Sequence, residues 1–416
     1  MNPQVVCMRK TTDHRFQHEQ GQTLLMFVLF LIVLFVFMGL GIDFGFAYIT
    51  RARLSKAVDA AALAGMRSYS QGQAQATLVA KNAFAANYGT SGRDVAAPVP
   101  TVTFNTSNSN TTIDVKANVS INTFFLRALP AMPFYSGASW KTLSVGDEAV
   151  ATRANLIMAV VLDVSGSMNS DGGIGGLKTA VPDFVNQFDN NNDEVAMVTF
   201  SCGATTPVPI TTHFQSPINT AVASLNGISW TCSERGLTNG LAQTQSVPIT
   251  AGENVIKVIV FFTDGLANTW YWPGFNCGAA DIAPDKTTYS ATALNSSKSC
   301  NVPSTIAGLS GTVTTSDQCG DMYAEAEARA EAVANLARSE SNIVYSIGFG
   351  DPNSSFRECG HPPLNLAFLK NVANTPDSST YNPNQLSGDV AIGSNPSDID
   401  QLFQQIASKI LLRLTK

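Results

Sequence analysis

At 416 residues the chain is long enough for more than one domain and a sizeable core. Hydrophobic residues make up 44% and charged ones 13%, which excludes a disordered or highly charged protein, and a net charge of −6 gives no general attraction to nucleic acid. Only four histidines are present, two of them (His14 and His18) near the N-terminus, so a multi-histidine zinc site is not expected.

Residues 1–20 form a short polar tail. Residues 24–42, LLMFVLFLIVLFVFMGLGI, are nineteen residues without a charge, the length that crosses a bilayer core as a helix. A cleaved signal peptide carries a shorter apolar core, about 7–15 residues, followed by a small-residue cleavage site. Here DFGFAYITRARLSKAVDAAALAGM follows and continues in helical character, so a retained anchor is expected. The whole of 21–88 reads as one helix, apolar first and then amphipathic, ended by Gly89, Ser91 and Gly92. Arg9, Lys10 and Arg15 precede the span and Arg51, Arg53 and Lys56 follow it, which leaves the positive-inside rule tied. The cysteines break the tie. Cys7 lies before the span, while Cys202, Cys232, Cys277, Cys300, Cys319 and Cys359 lie beyond it, an even set that suggests disulfides in an oxidising compartment. The expected topology is single-pass, with tail 1–20 cytoplasmic and the C-terminal domains outside the cytoplasm.

Residues 90–152 read as a small β-rich domain. VPTVTF and TIDVKANVSINTFF alternate apolar with polar around the asparagine-rich turn NTSNSNT. From residue 154 to 416 strands and helices alternate. LIMAVVL is a short apolar run suited to a strand buried on both faces. GLKTAVPDFVNQF is a helix, EVAMVTF and VIKVIVFF are strands, and DMYAEAEARAEAVANLARSES is a helix with Glu325 four residues before Arg329. NIVYSIGFG is a strand, and Ile399, Leu402, Phe403, Ile406 and Ile410 stripe a terminal helix. The fold class is therefore α/β, a doubly wound, mostly parallel sheet preceded by a transmembrane helix and a small α+β domain.

Binding sites in such sheets gather at the C-terminal ends of the strands. Asp163 ends the first strand of this region, with Ser165 and Ser167 at every second position after it, and Asp264 ends VIVFFTDG. Thr238 follows a glycine in RGLTNGLAQ, where a helix is expected to open. Five oxygen side chains can thus meet: Asp163, Ser165, Ser167, Thr238 and Asp264. That set suits a small hard cation; Mg²⁺ is favoured, with Mn²⁺ or Ca²⁺ as alternatives. Neutral hydroxyls leave the ion electrophilic enough to accept a carboxylate from another molecule. Singly, these residues are also ordinary turn and capping groups.

D-x-S-x-S, a later Thr after Gly, and a T-D-G strand end resemble the von Willebrand factor A (VWA) domain and its metal-ion-dependent adhesion site, over residues 154–416. The resemblance implies a VWA/Rossmann-like fold. It implies direct ligation by Ser165 and Ser167, water-mediated contact from Asp163 and Asp264, and a Thr238 that shifts with state. GQTLLMF…IDFGFAYITRARLSKAVDAAALAG resembles the N-terminal region of TadG-like proteins of the Tad/Flp pilus assembly system. A prepilin cleavage signal would place glutamate five residues beyond the cut, but Met26 stands there after Gly21, so processing as a pilin is not expected.

Competing chemistries are weaker. GGIGGL does not satisfy G-x-G-x-x-G, DVSGS is not G-x-S-x-G, and His213 and His361 are isolated. The expected function is a non-enzymatic, membrane-anchored adhesion or pilus-assembly protein of the bacterial inner membrane. It would bind a partner protein's exposed carboxylate, on a pilus component or surface ligand, through the cation, and take no nucleic acid as partner. The alternatives are a structural scaffold whose metal site does not function and, further off, a hydrolase. The stretch 266–320 is too long for an ordinary connection and is expected to be a cysteine-containing insertion that overhangs the metal and sets partner choice, with Trp270, Tyr271 and Trp272 either as recognition anchors or as packing for the insertion's own small core. Cys202–Cys232 is the first-choice pair among fifteen pairings of six cysteines.

Overall fold

Apolar and alanine-rich sequence carries the first helix, α1 (Gln20–Arg67), for 48 residues. In the computed structural model, residues 20–89, 92–107, 110–127, 140–201, 203–228, 231–268, 318–354 and 364–415 are described. Helix α1 stops where Tyr69–Gln71 tighten into a 3-10 turn and Gly72 takes φ +98°, a conformation that glycine tolerates best. Helix α2 (Gln73–Tyr88) then restarts. The single helix expected over 21–88 is thus two, because Gly72 cannot continue the first. Among the described residues, α1 is a helix long and apolar enough to cross a membrane, by length and composition.

The chain divides into two compact units, one of residues 1–61, 81–102 and 115–149, the other of residues 62–80, 103–114 and 150–416. A three-stranded sheet runs in the order β1 (Thr101–Ser107), β2 (Asn110–Asn122), β3 (Thr142–Arg153). Ile113, Val115, Ala117, Val119 and Ile121 alternate inward along β2, as a period of two requires. The hairpin expected here has its strands; residues 108 and 109 of its turn lie outside the described residues.

The larger sheet has six strands in the order β6-β5-β4-β7-β8-β9. They are β4 (Asn155–Asp163), β5 (Glu194–Phe200), β6 (Ala204–Thr211), β7 (Val255–Thr263), β8 (Asn342–Phe349) and β9 (Val390–Gly393). All neighbours pair in parallel except β5 with β6. Along β4, Leu156, Met158, Val160 and Leu162 join one core, with α4 (Gly173–Val185) and the terminal helix α9 (Ile399–Leu414). Ala159 and Val161 join the other, with α6 (Ser233–Ser246), α7 (Gln318–Ser339) and α8 (Leu366–Ala373). Both faces are covered, as the continuous apolar strand predicted. Helix α5 (Gln215–Ala223) and the short α3 (Gly166–Ser170) complete the described helices.

Two glycines set how close α6 comes. A Cβ on Gly236 would lie 2.5 Å from the Phe200 ring, and one on Gly240 would lie 2.7 Å from Val161. At the opposite end of the sheet, Arg153 forks onto Asp193 at 2.8 and 2.5 Å, and Asp193 also accepts the backbone N–H groups of Leu156 and Asp189. With that many donors the buried carboxylate is satisfied.

Glu327 on α7 accepts both bonds it makes from Asn365, at 3.1 and 2.9 Å, while Asn365 caps α8 through its own oxygen. Burial, aided by the nearby Glu331 charge, pushes Glu327 up to about 7 despite the Asn365 bonds. The folded chain therefore keeps a proton that the unfolded chain releases near pH 4.5. Stability from this group is present in full below the unfolded value and is lost as pH rises towards 7. Urea titrations at pH 5 and pH 8 should show Glu327→Gln more stable than wild type at pH 8, by on the order of 2 kcal/mol, with little difference at pH 5. An equal difference at both pH values would refute the shift.

Candidate metal centre

The parallel register brings two carboxylates to one level. Asp163 pairs with Phe200, and Leu162 with Phe262, so β4 and β7 end side by side, with Asp163 closing one strand and Asp264 following Thr263 on the other. Beyond Asp163 the chain stays extended at Ser165 (φ −69°, ψ 171°) and then turns at once into α3. Ser165 occupies the cap position but makes no side-chain cap bond, which leaves its hydroxyl for the site.

Both oxygens of Asp163 are held. Oδ1 accepts the Ser165 N–H at 2.8 Å, and Oδ2 accepts the Thr263 hydroxyl at 2.6 Å. Ser165 Oγ and Ser167 Oγ lie 3.0 Å apart, and both donate towards Asp264 Oδ1, at 3.4 and 3.1 Å. Asp264 Oδ2 is buried and has no hydrogen-bond partner among the described residues. Asp163 and Ser165 are buried, whereas Ser167 is exposed and marks the mouth of the cluster.

Burial pushes Asp163 up to about 6, against the opposing pull of its Thr263 and Ser165 bonds. Burial, then the charge of Asp163 and that of Asp171, pushes Asp264 well above the usual carboxylate range. Two desolvated carboxylates that repel each other, one with a free buried oxygen, are what a cation would relieve. The residues present therefore fit a divalent ion. Among the described residues no three His, Cys, Asp or Glu side chains come together in one group; this donor set relies on hydroxyls instead.

The loop before α6 closes one side. Ile228 N–H donates to Val164 O at 2.8 Å, and Asn169 exchanges two bonds with the Gly227 backbone. A Cβ at Gly227 would lie 2.5 Å from Ser165 O, so only glycine lets this loop lie so close. Thr231 and Asn268 also exchange two bonds, at 2.7 and 3.0 Å, tying this loop to the segment after Asp264.

Four of the five expected oxygens come together, and Thr238 does not join them. Helix α6 opens at Ser233, so Thr238 lies in its second turn, exposed, with its hydroxyl donating to Glu234 O at 2.7 Å. Gly236 and Gly240, the two glycines of RGLTNG, pack the helix against the sheet, and neither ends a loop before Thr238. Missing from the five is Thr231-x-Ser233, which repeats the spacing of Ser165-x-Ser167 and likewise runs into the start of a helix. Both are buried, and Ser233 Oγ has no partner among the described residues. Thr263, the orienting hydroxyl for Asp163, was equally legible in T-D-G.

His213 cannot serve this cluster as a base. Its backbone N–H donates to Asn190 O, ahead of β5, and Thr211 nearby pairs with Val195 at the start of that strand. A strand length, roughly 20 Å, separates it from Asp163. Of the cysteines, Cys232 is buried; Cys7, Cys202, Cys277, Cys300 and Cys359, the side chain of Cys319, His361, and Trp270, Tyr271 and Trp272 of the expected insertion lie outside the described residues.

Residues 21–76 match the family described as putative Flp pilus-assembly TadE/G-like, and residues 158–275 match the von Willebrand factor type A domain. The chain thus carries a TadE/G-like region and a VWA domain, a pairing that supports an adhesion or pilus-associated role. Among solved structures it is similar to the PilB minor pilin from Streptococcus sanguinis, with 14% identity, a TM-score of 0.41, and coverage of 76% of this chain and 79% of that one. It is also similar to the vWF domain of the type V pili tip protein Mfa5 from Porphyromonas gingivalis, with 14% identity, a TM-score of 0.38, and coverage of 63% and 97%. A third is proximal thread matrix protein 1 from the mussel byssus with a zinc-occupied MIDAS motif, with 17% identity, a TM-score of 0.36, and coverage of 63% and 46%. No curated protein sequence matches the chain.

The two threonines separate cleanly by experiment. Thr238→Ala should change stability by less than about 0.5 kcal/mol and leave any Mn²⁺-dependent rise in melting temperature intact. Thr231→Ala should shrink that rise. Thermal unfolding with and without Mn²⁺ checks both, and the reverse pattern would return Thr238 to the site.

Proposed function

We propose that this chain is a membrane-anchored protein of a bacterial pilus or its assembly apparatus, whose VWA domain grips an acidic side chain of a partner protein through a divalent cation. The single observation carrying this reading is the pair of buried, mutually repelling carboxylates, Asp163 and Asp264, lined by two hydroxyls and left with an unpartnered oxygen. Ser165, Ser167 and Asp264 would hold the ion, with Asp163 steadying Ser165 and Thr231 or Ser233 supplying a further hydroxyl. Mg²⁺ is the favoured ion because hydroxyl, carboxylate and water oxygens suit it; Mn²⁺ or Ca²⁺ would use the same donors. When bound, the ion supplies an electrophilic position at the mouth of the cluster that a carboxylate from another molecule can fill.

Beside that mouth lies an open groove of about 410 Å³, lined by Val164, Phe200, Ser201, Thr205, Leu225 and Ile228. It would take the residues flanking the partner's acidic side chain. A binding role is favoured over catalysis because both serine hydroxyls turn towards Asp264 Oδ1, a donor set suited to holding a cation. Calorimetry on the full chain in detergent should give Mg²⁺ or Mn²⁺ binding that Asp163→Ala loses. Capture of a pilus component from envelope extracts should be abolished by EDTA. Equal cation affinity in Asp163→Ala overturns the site, and capture indifferent to EDTA leaves a scaffold.

The anchor is residues 24–42, in the inner membrane, with the C-terminal domains extracytoplasmic. Supporting the oxidising side is the Cys232 N–H, which donates to Ser201 O, so Cys232 lies against the residue before Cys202. A Cys202–Cys232 disulfide is the expected bridge. Peptide mapping without reductant should recover the two cysteines linked; recovery of both as alkylated free thiols would reverse the placement.

A further inference from the structure

Asp43 stands one residue beyond the apolar run 24–42, on α1, and it is buried. Its carboxylate accepts three consecutive backbone N–H groups: Phe124 on Oδ1 at 2.8 Å, then Phe125 and Leu126 on Oδ2 at 2.9 and 2.7 Å. Thr123, just before them, is tied back to the backbone of Trp140 and Lys141. The turn 123–127 is therefore clasped to the helix at the end of its apolar run.

The clasp does more than satisfy Asp43. A Cβ on Gly39 would lie 2.5 Å from the Phe125 ring, so that ring rests on the helix surface at Gly39, inside the apolar run. Gly39 is one helical turn, about 6 Å, before Asp43. The turn thus reaches back alongside the span. Phe124 packs edge-on to Phe125, with ring centroids 5.0 Å apart, yet stays 62% exposed. Trp140, Phe44 and Tyr48 are exposed too. Backbone N–H groups entering an apolar layer must find partners within the protein, and aromatic side chains concentrate at the boundary of that layer. Asp43 meets the first requirement and the exposed rings meet the second.

We infer that the turn 123–127 is an interfacial wedge whose partner is the lipid bilayer, seated at the headgroup–acyl boundary beside α1 and held there by Asp43. This inference rests on the reading of 24–42 as a membrane anchor, and the test separates the two. In the full chain in native membranes, benzoylphenylalanine replaces Phe124, Phe35 within the span, or Tyr381 in the larger unit, and photolysis products are identified by mass spectrometry. Lipid adducts are expected at 124 and 35 and none at 381. Lipid adducts at 35 with protein adducts or none at 124 overturn the wedge alone. No lipid adduct at 35 overturns the anchor and the wedge with it. Adding Asp43→Ala should lower the lipid adduct at 124 several-fold and leave that at 35 unchanged, which also shows that the variant is still inserted. An undiminished yield at 124 removes Asp43 from the role of clasp.

Discussion

Two carboxylates at the ends of adjacent parallel strands, Asp163 and Asp264, set the conditions for everything around them. Parallel pairing delivers them to the same level, and burial removes the water that would screen their repulsion. The surroundings relieve only part of this. Asp163 has a donor for each oxygen, from Ser165 and Thr263, and is fixed in orientation as a result. Asp264 shares one oxygen between two serine hydroxyls and has no partner for the other among the described residues. Two buried carboxylates of like charge disfavour ionisation of each other and add nothing to stability by their own interaction. The pair's place at the strand ends where binding sites collect is the physical case for the proposed cation.

The rest of the sheet serves that arrangement. Gly236 and Gly240 let α6 press against β4 and β5, which brings its first turn, and Thr231 and Ser233 at its start, near the strand ends. Gly227 lets the preceding loop touch the Ser165 carbonyl, and Asn169 sutures that loop to α3. At the other end of the sheet, the Arg153–Asp193 pair fixes the start of β4 to the turn before β5. Rigidity at both ends of β4 holds Asp163, Ser165 and Ser167 in their positions.

Much of this was legible in the sequence, and the omissions have physical causes. LIMAVVL announced a strand buried on two faces, and D-x-S-x-S after it could only lie at a strand end. Strand β6 is hard to see in sequence because ATTPVPIT carries Pro207 and Pro209, residues that sheets accept at edges and that weaken any strand signal. The break between α1 and α2 is equally faint, because a single glycine, Gly72, makes it amid good helix formers. Thr238 misleads in sequence because Gly236, two residues before it, looks like the end of a loop entering a helix. In fact the helix had begun five residues earlier, and its glycine serves packing. Thr231-x-Ser233 is masked by the cysteine between them, which reads first as a disulfide signal.

Three of the chain's buried acids, Asp193, Asp43 and Asp264, contrast in how their oxygens are met. Asp193 faces an arginine fork and two backbone donors; Asp43 faces three consecutive backbone donors. Each is a closed arrangement in which every carboxylate oxygen has a partner, so neither calls for anything from outside the chain. Asp264 is the exception: buried, pushed upward by a neighbouring acid, and open on one oxygen. Burying an unpaired charge costs several kcal/mol, and a cation at the proposed site would offset that cost. The closed acids hold the scaffold, and the open one offers the oxygen that the proposed cation would meet.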